Sequence, residues 1–263
     1  MKAIVLAVWL AISSMFSACM TTPVPEQAPG DMPTTFAEKG KRRPVLVELY
    51  TSEGCSSCPP ADRVLTILQN EQLVPNANVI TLGFHVDYWD NASWRDRFSS
   101  AEYTRRQQAY AQKMQLDSTY TPQMIVDGAT EFVGSNRAQA NDVIAKVATR
   151  PKGSVDIKIE NGKVVADITG LGSHSDATVY IAVAESGLTS SVVGGENAGE
   201  SLVHSSVVRT LVRVGTVKGA DGGLKAEWVI PTNKDWKSEN LKYVVFVQEN
   251  DSLKILAVSQ TKA

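Results

Sequence analysis

Two cysteines spaced as Cys55-Ser-Ser-Cys58 are the residues of this chain best suited to chemistry. Thiols at that spacing can close a disulfide, and as thiolates they can attack one or bind a soft metal ion. The setting matters as much as the spacing. The segment Val45-Leu-Val-Glu-Leu-Tyr50 reads as a buried strand, and residues 61–73 read as a helix with Val64, Leu65, Ile67 and Leu68 at helical spacing. The pair therefore falls at a strand-to-helix junction, where unpaired N–H groups and the positive end of the helix dipole favour thiolate over thiol. Cys55 is the expected nucleophile, and Cys58, one turn in, is the thiol that attacks the resulting mixed disulfide. Pro59 and Pro60 suit the first helical turn, where a missing N–H costs little.

His85 and Asp87 close a second strand, residues 78–85, at the carboxyl edge where α/β sheets bind ligands. His85 could support the Cys55 thiolate, pair with Asp87, or join Cys55 and Cys58 around a soft ion such as Cu(I). The plain alternative is a hydrogen-bonded histidine beneath Tyr88 and Trp89. Trp89, Asp90 and Trp94 read either as a lid over the cysteines or as rim packing. The glycine-rich run Gly194-Gly-Glu-Asn-Ala-Gly-Glu200, followed by His204 and Arg209, reads as a flexible turn, with folding over the cysteines as the alternative. It lacks the strand-to-helix context of a phosphate-binding loop.

These residues need elements to hold them. A long polar helix is expected at 101–116, with Ser99 and Glu102 at capping-box spacing. A hairpin follows over 123–133, turning at Asp127-Gly128, and Asn136 opens a last helix. From about Pro151 the texture changes. Val155, Ile157 and Ile159 alternate, Asn161-Gly162 turns, and Val164, Ala166 and Ile168 alternate back, with further strands expected at 178–184, 202–217, 226–230, 241–249 and 253–259. The pattern predicts an α/β domain over 44–150 and an all-β sandwich-like domain over 151–263.

The chain has 263 residues, formal net charge −2, 43% hydrophobic and 21% charged residues, the balance of a folded protein. Twenty-six basic against 28 acidic residues give no basic face, so no nucleic-acid partner is expected. Three cysteines are too few for a disulfide-stapled scaffold or an all-cysteine zinc site, and no cofactor is expected. At the amino terminus, Lys2 and the apolar run 3–12 read as a signal peptide over 1–18, too short to span a membrane. Phe16-Ser-Ala-Cys19 resembles a bacterial lipoprotein signal, which makes Cys19 the expected acylation site; plain secretion is the alternative. Residues 19–43, with Pro23, Pro25, Pro29 and Pro33, read as an extended tether. An exported, periplasmic, lipid-anchored protein is the expected result.

The order strand, C-x-x-C helix, strand, helix, X-Pro hairpin and helix resembles the thioredoxin fold. The resemblance implies that Pro122, in Thr121-Pro122, is a cis-proline facing the cysteines and orienting a substrate chain. It also implies that Glu48 lies near the buried acid that relays the proton of the second cysteine. The fuller strings, residues 47–62 around the cysteines and Gly83-Phe-His-Val-Asp-Tyr-Trp-Asp90, resemble a bacterial secreted family known as domain of unknown function 1223. That likeness spans most of the chain beyond residue 18 and implies a thioredoxin-like exported protein without an established substrate. Departures from thioredoxin itself are the absence of a Trp before Cys55, the Ser-Ser insert between the cysteines, the polar helix and the added β-rich half.

The leading expectation is an exported thiol–disulfide oxidoreductase acting on protein or small-molecule thiols and disulfides. Two others stand beside it: a copper-binding or delivery module using Cys55, Cys58 and His85, and a structural envelope lipoprotein with an inert disulfide.

Overall fold

The computed structural model describes residues 42–219 and 221–263. The expected signal peptide, Cys19 and nearly all of the tether lie outside the described residues. The first half contains β1 (Arg43–Thr51), α1 (Pro59–Glu71), β2 (Ala77–His85), α2 (Ala101–Met114), the hairpin β3 (Gln123–Val126) and β4 (Thr130–Val133), and α3 (Arg137–Val147). The second half contains β5 (Ser154–Glu160), β6 (Lys163–Thr169), β7 (Ala177–Glu185), β8 (Leu188–Ser191), β9 (Ser201–His204), β10 (Val207–Val217), β11 (Leu224–Val229), β12 (Leu241–Glu249) and β13 (Ile255–Lys262). Among the described residues no helix is long and apolar enough to cross a membrane.

Local signals place these elements. Seven successive residues of β1, Val45 to Thr51, are buried, as in a strand covered on both faces. α1 has Pro59 at its start and buries one stripe, Ala61, Val64, Leu65 and Leu68. Of the two serines that could open α2, Ser100 is the cap: its side chain accepts from Glu102 N, while the Ser99 hydroxyl, at capping-box spacing from Glu102, instead donates to Asp90 Oδ2 at 2.7 Å.

The expected thioredoxin-like α/β domain followed by a separate β-sandwich does not form. One eight-stranded mixed sheet, ordered β13-β12-β7-β10-β2-β1-β3-β4, takes four strands from each half. The junction is β10 lying parallel to β2, with Val207 opposite Gly83, and Gly83 N donating to Ser206 O at 2.7 Å. The physical reason is edge pairing: β2 pairs with β1 on one side and would otherwise leave the backbone groups of its other side unpaired. One hydrophobic core also crosses the expected boundary, joining Leu46, Tyr50, Phe84 and Tyr110 to Ala182, Val208, Val244 and Phe246. α1 and α3 cover the opposite face of the β1–β3 region. The hairpin β5–β6 forms as expected, but with β11 it makes a three-stranded sheet packed on β7 and β12.

The seam between the halves is polar. Thr81 and Ser206 share a hydroxyl hydrogen bond of 2.7 Å, and Lys242 Nζ donates to Thr81 Oγ1 at 3.3 Å and Gln69 Oε1 at 3.4 Å. Burial pulls the Lys242 pKa down to about 7, from an unfolded value of about 10.4. Between those values the unfolded chain holds a proton that the folded chain has released, so stability rises with pH across that window, and the penalty is complete below it. Lys242→Met is expected to be more stable than the native chain in urea at pH 6, with the difference shrinking toward pH 9. A difference independent of pH would show that Lys242 keeps its ordinary charge.

Candidate functional site

Residues 52–58 turn the chain from β1 into α1 through a tight series of backbone bonds: Cys55 N to Ser52 O, Cys58 N to Cys55 O, and Asp62 N to Cys58 O at 3.1 Å. Cys58 already has helical φ and ψ (−79°, −38°) as the N-cap of α1, and it is joined to Cys55 in a disulfide. The sulfurs thus sit at the positive end of the helix. Both cysteines are fully buried (0%), whereas Ser56 and Ser57 between them are exposed.

Three segments cover the disulfide. The Thr121–Pro122 peptide is cis, and Thr121 Oγ1 donates to Cys55 Sγ at 3.3 Å, while Trp89 Nε1 donates to the same Thr121 hydroxyl at 2.8 Å. From the second half, the loop between β8 and β9 lies across the cysteine turn. Glu196 Oε2 accepts from Ser56 N at 3.0 Å and Ser56 Oγ at 2.7 Å, and Asn197 Nδ2 donates to the carbonyls of Glu53 (2.8 Å) and Cys55 (2.9 Å). The Ser56 N–H holds the Glu196 carboxyl below its usual pKa. The glycine run is therefore a strap rather than a free turn. A Cβ at Gly194 would sit 2.1 Å from Ser93 O, and Gly195 packs near Gly54 at φ +75°.

Beneath the cysteine turn lies a buried polar cluster. His85 Nδ1 meets Asp96 Oδ2 at 2.6 Å, the same oxygen accepts from Glu53 N at 2.9 Å, and Glu53 Oε1 pairs with His204 Nε2 at 3.2 Å. The two imidazoles are 5.0 Å apart, each edge-to-face with Phe98. Burial opposes a charged His85, but the Asp96 carboxylate outweighs it and raises the imidazole pKa. Burial likewise opposes the Asp96 carboxylate, and His85 with two backbone N–H groups outweighs it and lowers that pKa. Asp62, on α1, has its pKa raised by burial, an effect reduced by the nearby His204 and His85.

The expected site residues divide. Cys55, Cys58, Thr121-Pro122 and Trp89 come together. His85 belongs to the cluster but pairs with Asp96; Asp87 instead binds Thr104 of α2, whose hydroxyl donates to Asp87 Oδ1 at 2.5 Å. His85 is thus not brought to the cysteines as a ligand, and among the described residues no three His, Cys, Asp or Glu side chains are grouped as a metal set.

Glu48 also lies elsewhere. Along β1, Val47 and Leu49 face α1, so Glu48 faces α2 with Leu46 and Tyr50. There Arg106 Nε donates to Glu48 Oε1 at 2.7 Å and Tyr110 OH to Glu48 Oε2 at 2.5 Å, while Arg106 reaches Gln248 Oε1 at 3.0 Å. Phe84, Tyr110, Tyr180 and Phe246 surround the guanidinium, with ring centroids 5.2–5.7 Å away. Sequence reasoning missed Asp96, Glu196, Asn197 and Asp62 as site residues. Only the Gly194-Gly195 pair beside Glu196 and the one-turn spacing of Asp62 from Cys58 could have flagged any of them.

A family model described as "Protein of unknown function (DUF1223)" matches residues 46–248, a span that holds every residue of this site. Among solved structures, the chain is similar to a crystal structure of a protein from Agrobacterium tumefaciens, with 26% identity and a TM-score of 0.69 over 85% of this chain and 95% of that one. It is also similar in fold to HBP35 of Porphyromonas gingivalis, with 15% identity and a TM-score of 0.56 over 85% of this chain and 76% of that one. No curated protein matches.

Two variants separate the strap from the ion pair. Asn197→Ala leaves the carbonyls of Glu53 and Cys55 short of a donor; it is expected to cost about 1–3 kcal/mol and to speed reduction of the disulfide by dithiothreitol. Arg106→Met, which strands the buried Glu48 carboxylate, is expected to cost about 3–5 kcal/mol in urea unfolding. Glu48→Gln should leave the dithiothreitol reduction rate unchanged, and a changed rate would return Glu48 to the cysteines.

Proposed function

The chain belongs to the family described as protein of unknown function (DUF1223), and from that premise we propose that it is an exported thiol–disulfide exchange protein with Cys55 as nucleophile and Cys58 as resolving thiol. In the reduced protein, the Cys55 thiolate attacks a substrate disulfide, forms a Cys55–substrate bond and releases one substrate thiolate. Cys58 then loses its proton and attacks Cys55 Sγ, closing the Cys55–Cys58 disulfide and releasing the second thiolate. The substrate gains two electrons and the protein loses two. Running in reverse, the disulfide oxidises a substrate dithiol.

One observation carries the reading: the Cys55–Cys58 disulfide stands at the N-terminus of α1 with the Thr121 hydroxyl, next to a cis-proline, on Cys55 Sγ. Helix N–H groups and a hydroxyl donor both favour the Cys55 thiolate. A disulfide also fits the oxidising space outside the cytoplasm, in keeping with the signal peptide and the acylation of Cys19 read from the sequence. Reaching Cys55 requires the strap to lift. The full burial of both cysteines favours a second reading, an inert structural disulfide in an envelope protein.

Reaction of the reduced Cys58→Ser variant with oxidised glutathione decides between them. The exchange reading expects a glutathione adduct on Cys55 by mass spectrometry, absent in Cys55→Ser, and reversible reduction of the native disulfide. A native disulfide that resists dithiothreitol until the chain unfolds, with no adduct in Cys58→Ser, would establish the structural reading instead.

A further inference from the structure

Exchange chemistry needs a group to take the proton of Cys58, and Glu48 is committed to Arg106 and Tyr110 on the α2 face of the sheet. We propose that Asp62 is the base that accepts the Cys58 proton, a role that rests on the exchange reading and assigns its second step. Cys58 and Asp62 are four residues apart in one helical turn, closed by the bond from Asp62 N to Cys58 O at 3.1 Å. Residues at that spacing share a helix face, with Cβ atoms about 5–6 Å apart. Helical side chains also lean toward the N-terminus, which carries the Asp62 carboxyl over the preceding turn, toward Cys58.

What surrounds Asp62 suits the task. His204 and His85 stand close enough to interact with its charge, and Thr51 lies beside it at the end of β1. His204 pairs with Glu53 and His85 with Asp96, so the charged groups acting on Asp62 are two imidazoles, each held by a carboxylate, and the Asp96 carboxylate, whose like charge opposes that of Asp62. Burial raises the Asp62 pKa, which brings its proton affinity closer to that of a thiol than an exposed aspartate's would be. Of the other carboxylates near the cysteines, Glu53 is held by His204 and Glu196 by Ser56.

The step balances. In the mixed disulfide, the Cys58 S–H proton passes to the Asp62 carboxylate as Cys58 Sγ bonds to Cys55 Sγ. The Cys55–substrate bond breaks, and the leaving thiolate recovers a proton from Asp62 or from water.

The test uses the reduced full chain carrying Cys19→Ala, so that only Cys55 and Cys58 react, with 5,5′-dithiobis(2-nitrobenzoate) as the probe. Attack by Cys55 releases one thionitrobenzoate; attack by Cys58 on Cys55 releases the second, and the two phases are followed by absorbance. Asp62→Asn is expected to leave the first phase unchanged, to slow the second about 100-fold, and to remove the rise of the second phase through the raised Asp62 pKa. Asp62→Glu is expected to restore most of the rate with a shifted midpoint. An Asn variant whose second phase keeps the native rate and pH profile overturns the assignment while leaving exchange standing. A native chain that releases no thionitrobenzoate overturns exchange itself, and the Asp62 role with it. If circular dichroism shows that Asp62→Asn has not folded, Asp62→Glu decides alone: an unchanged second-phase midpoint rejects the proposal.

Discussion

The parallel pairing of β1 with β2 is the constraint from which the rest of this structure follows. Its register sets Thr51 opposite His85, so both strands end at the same edge and the loops that leave them must share one space. The β1 loop contributes Glu53 and the cysteine turn; the β2 loop contributes Trp89 and Asp96. Carboxyl ends of adjacent parallel strands are where open sheets gather their ligand-binding loops. Here that edge is closed by a third contribution: β10 pairs with the free side of β2, and the chain just before it supplies His204 and the strap. The second half is therefore part of the site. Without it, Ser56 would lose its carboxylate acceptor, the carbonyls of Glu53 and Cys55 their donor, and Glu53 its imidazole.

Two polar clusters are buried on opposite faces of the sheet, and their chemistry differs. Around Glu48 the carboxylate itself is paired: guanidinium and phenol occupy its two oxygens, an amide bonds to both of those groups, and four aromatic rings surround the cation, while the neighbouring Tyr50 hydroxyl lacks a partner among the described residues. Burial works against the Arg106 charge, but Glu48 outweighs it and raises the guanidinium pKa further. Such a network fixes α2 across strands from both halves. Around Glu53 the partners are incomplete. The Glu53 carboxylate oxygens and both nitrogens of His204 lack well-formed hydrogen bonds, although all are buried. Buried polar groups left short of partners are uncommon in a folded core, and here they lie directly beneath the cysteine turn.

Much of this was legible in the sequence where the cause is local. The cysteine turn, the α1 stripe, the Asp127-Gly128 hairpin and the β5–β6 hairpin depend on residues a few positions apart. The partners of strands do not. Nothing in the alternation of Val207 to Val217 states that β10 joins β2, because the pattern fixes which face a residue takes and leaves the neighbouring strand open. That gap produced the expected second domain, which the continuous sheet replaces. Glu48 shows the same limit in one residue: its parity with Leu46 and Tyr50 is visible in the sequence, but which face α1 would cover is not. Asp96 lies in a loop without periodicity, and only the fold brings it to His85.

The strap is what would have to move for the proposed exchange to reach fully buried cysteines. Its hydrogen bonds to the cysteine turn are four, two from the exposed Glu196 and two from the buried Asn197. The hydrogen bonds are individually worth about 0.5–1.5 kcal/mol, and among the described residues no apolar cluster holds the strap in place, so it is expected to open more readily than the core beneath it. The β1–β2 pair and the α1 stripe stay packed when it lifts, because none of their apolar contacts involve residues 194–200. Lifting it would free Ser56 and the Cys55 carbonyl of their strap partners, while Cys58 stays in the first turn of α1. The part of the turn so released carries the proposed nucleophile rather than the resolving thiol, which is the order that exchange requires.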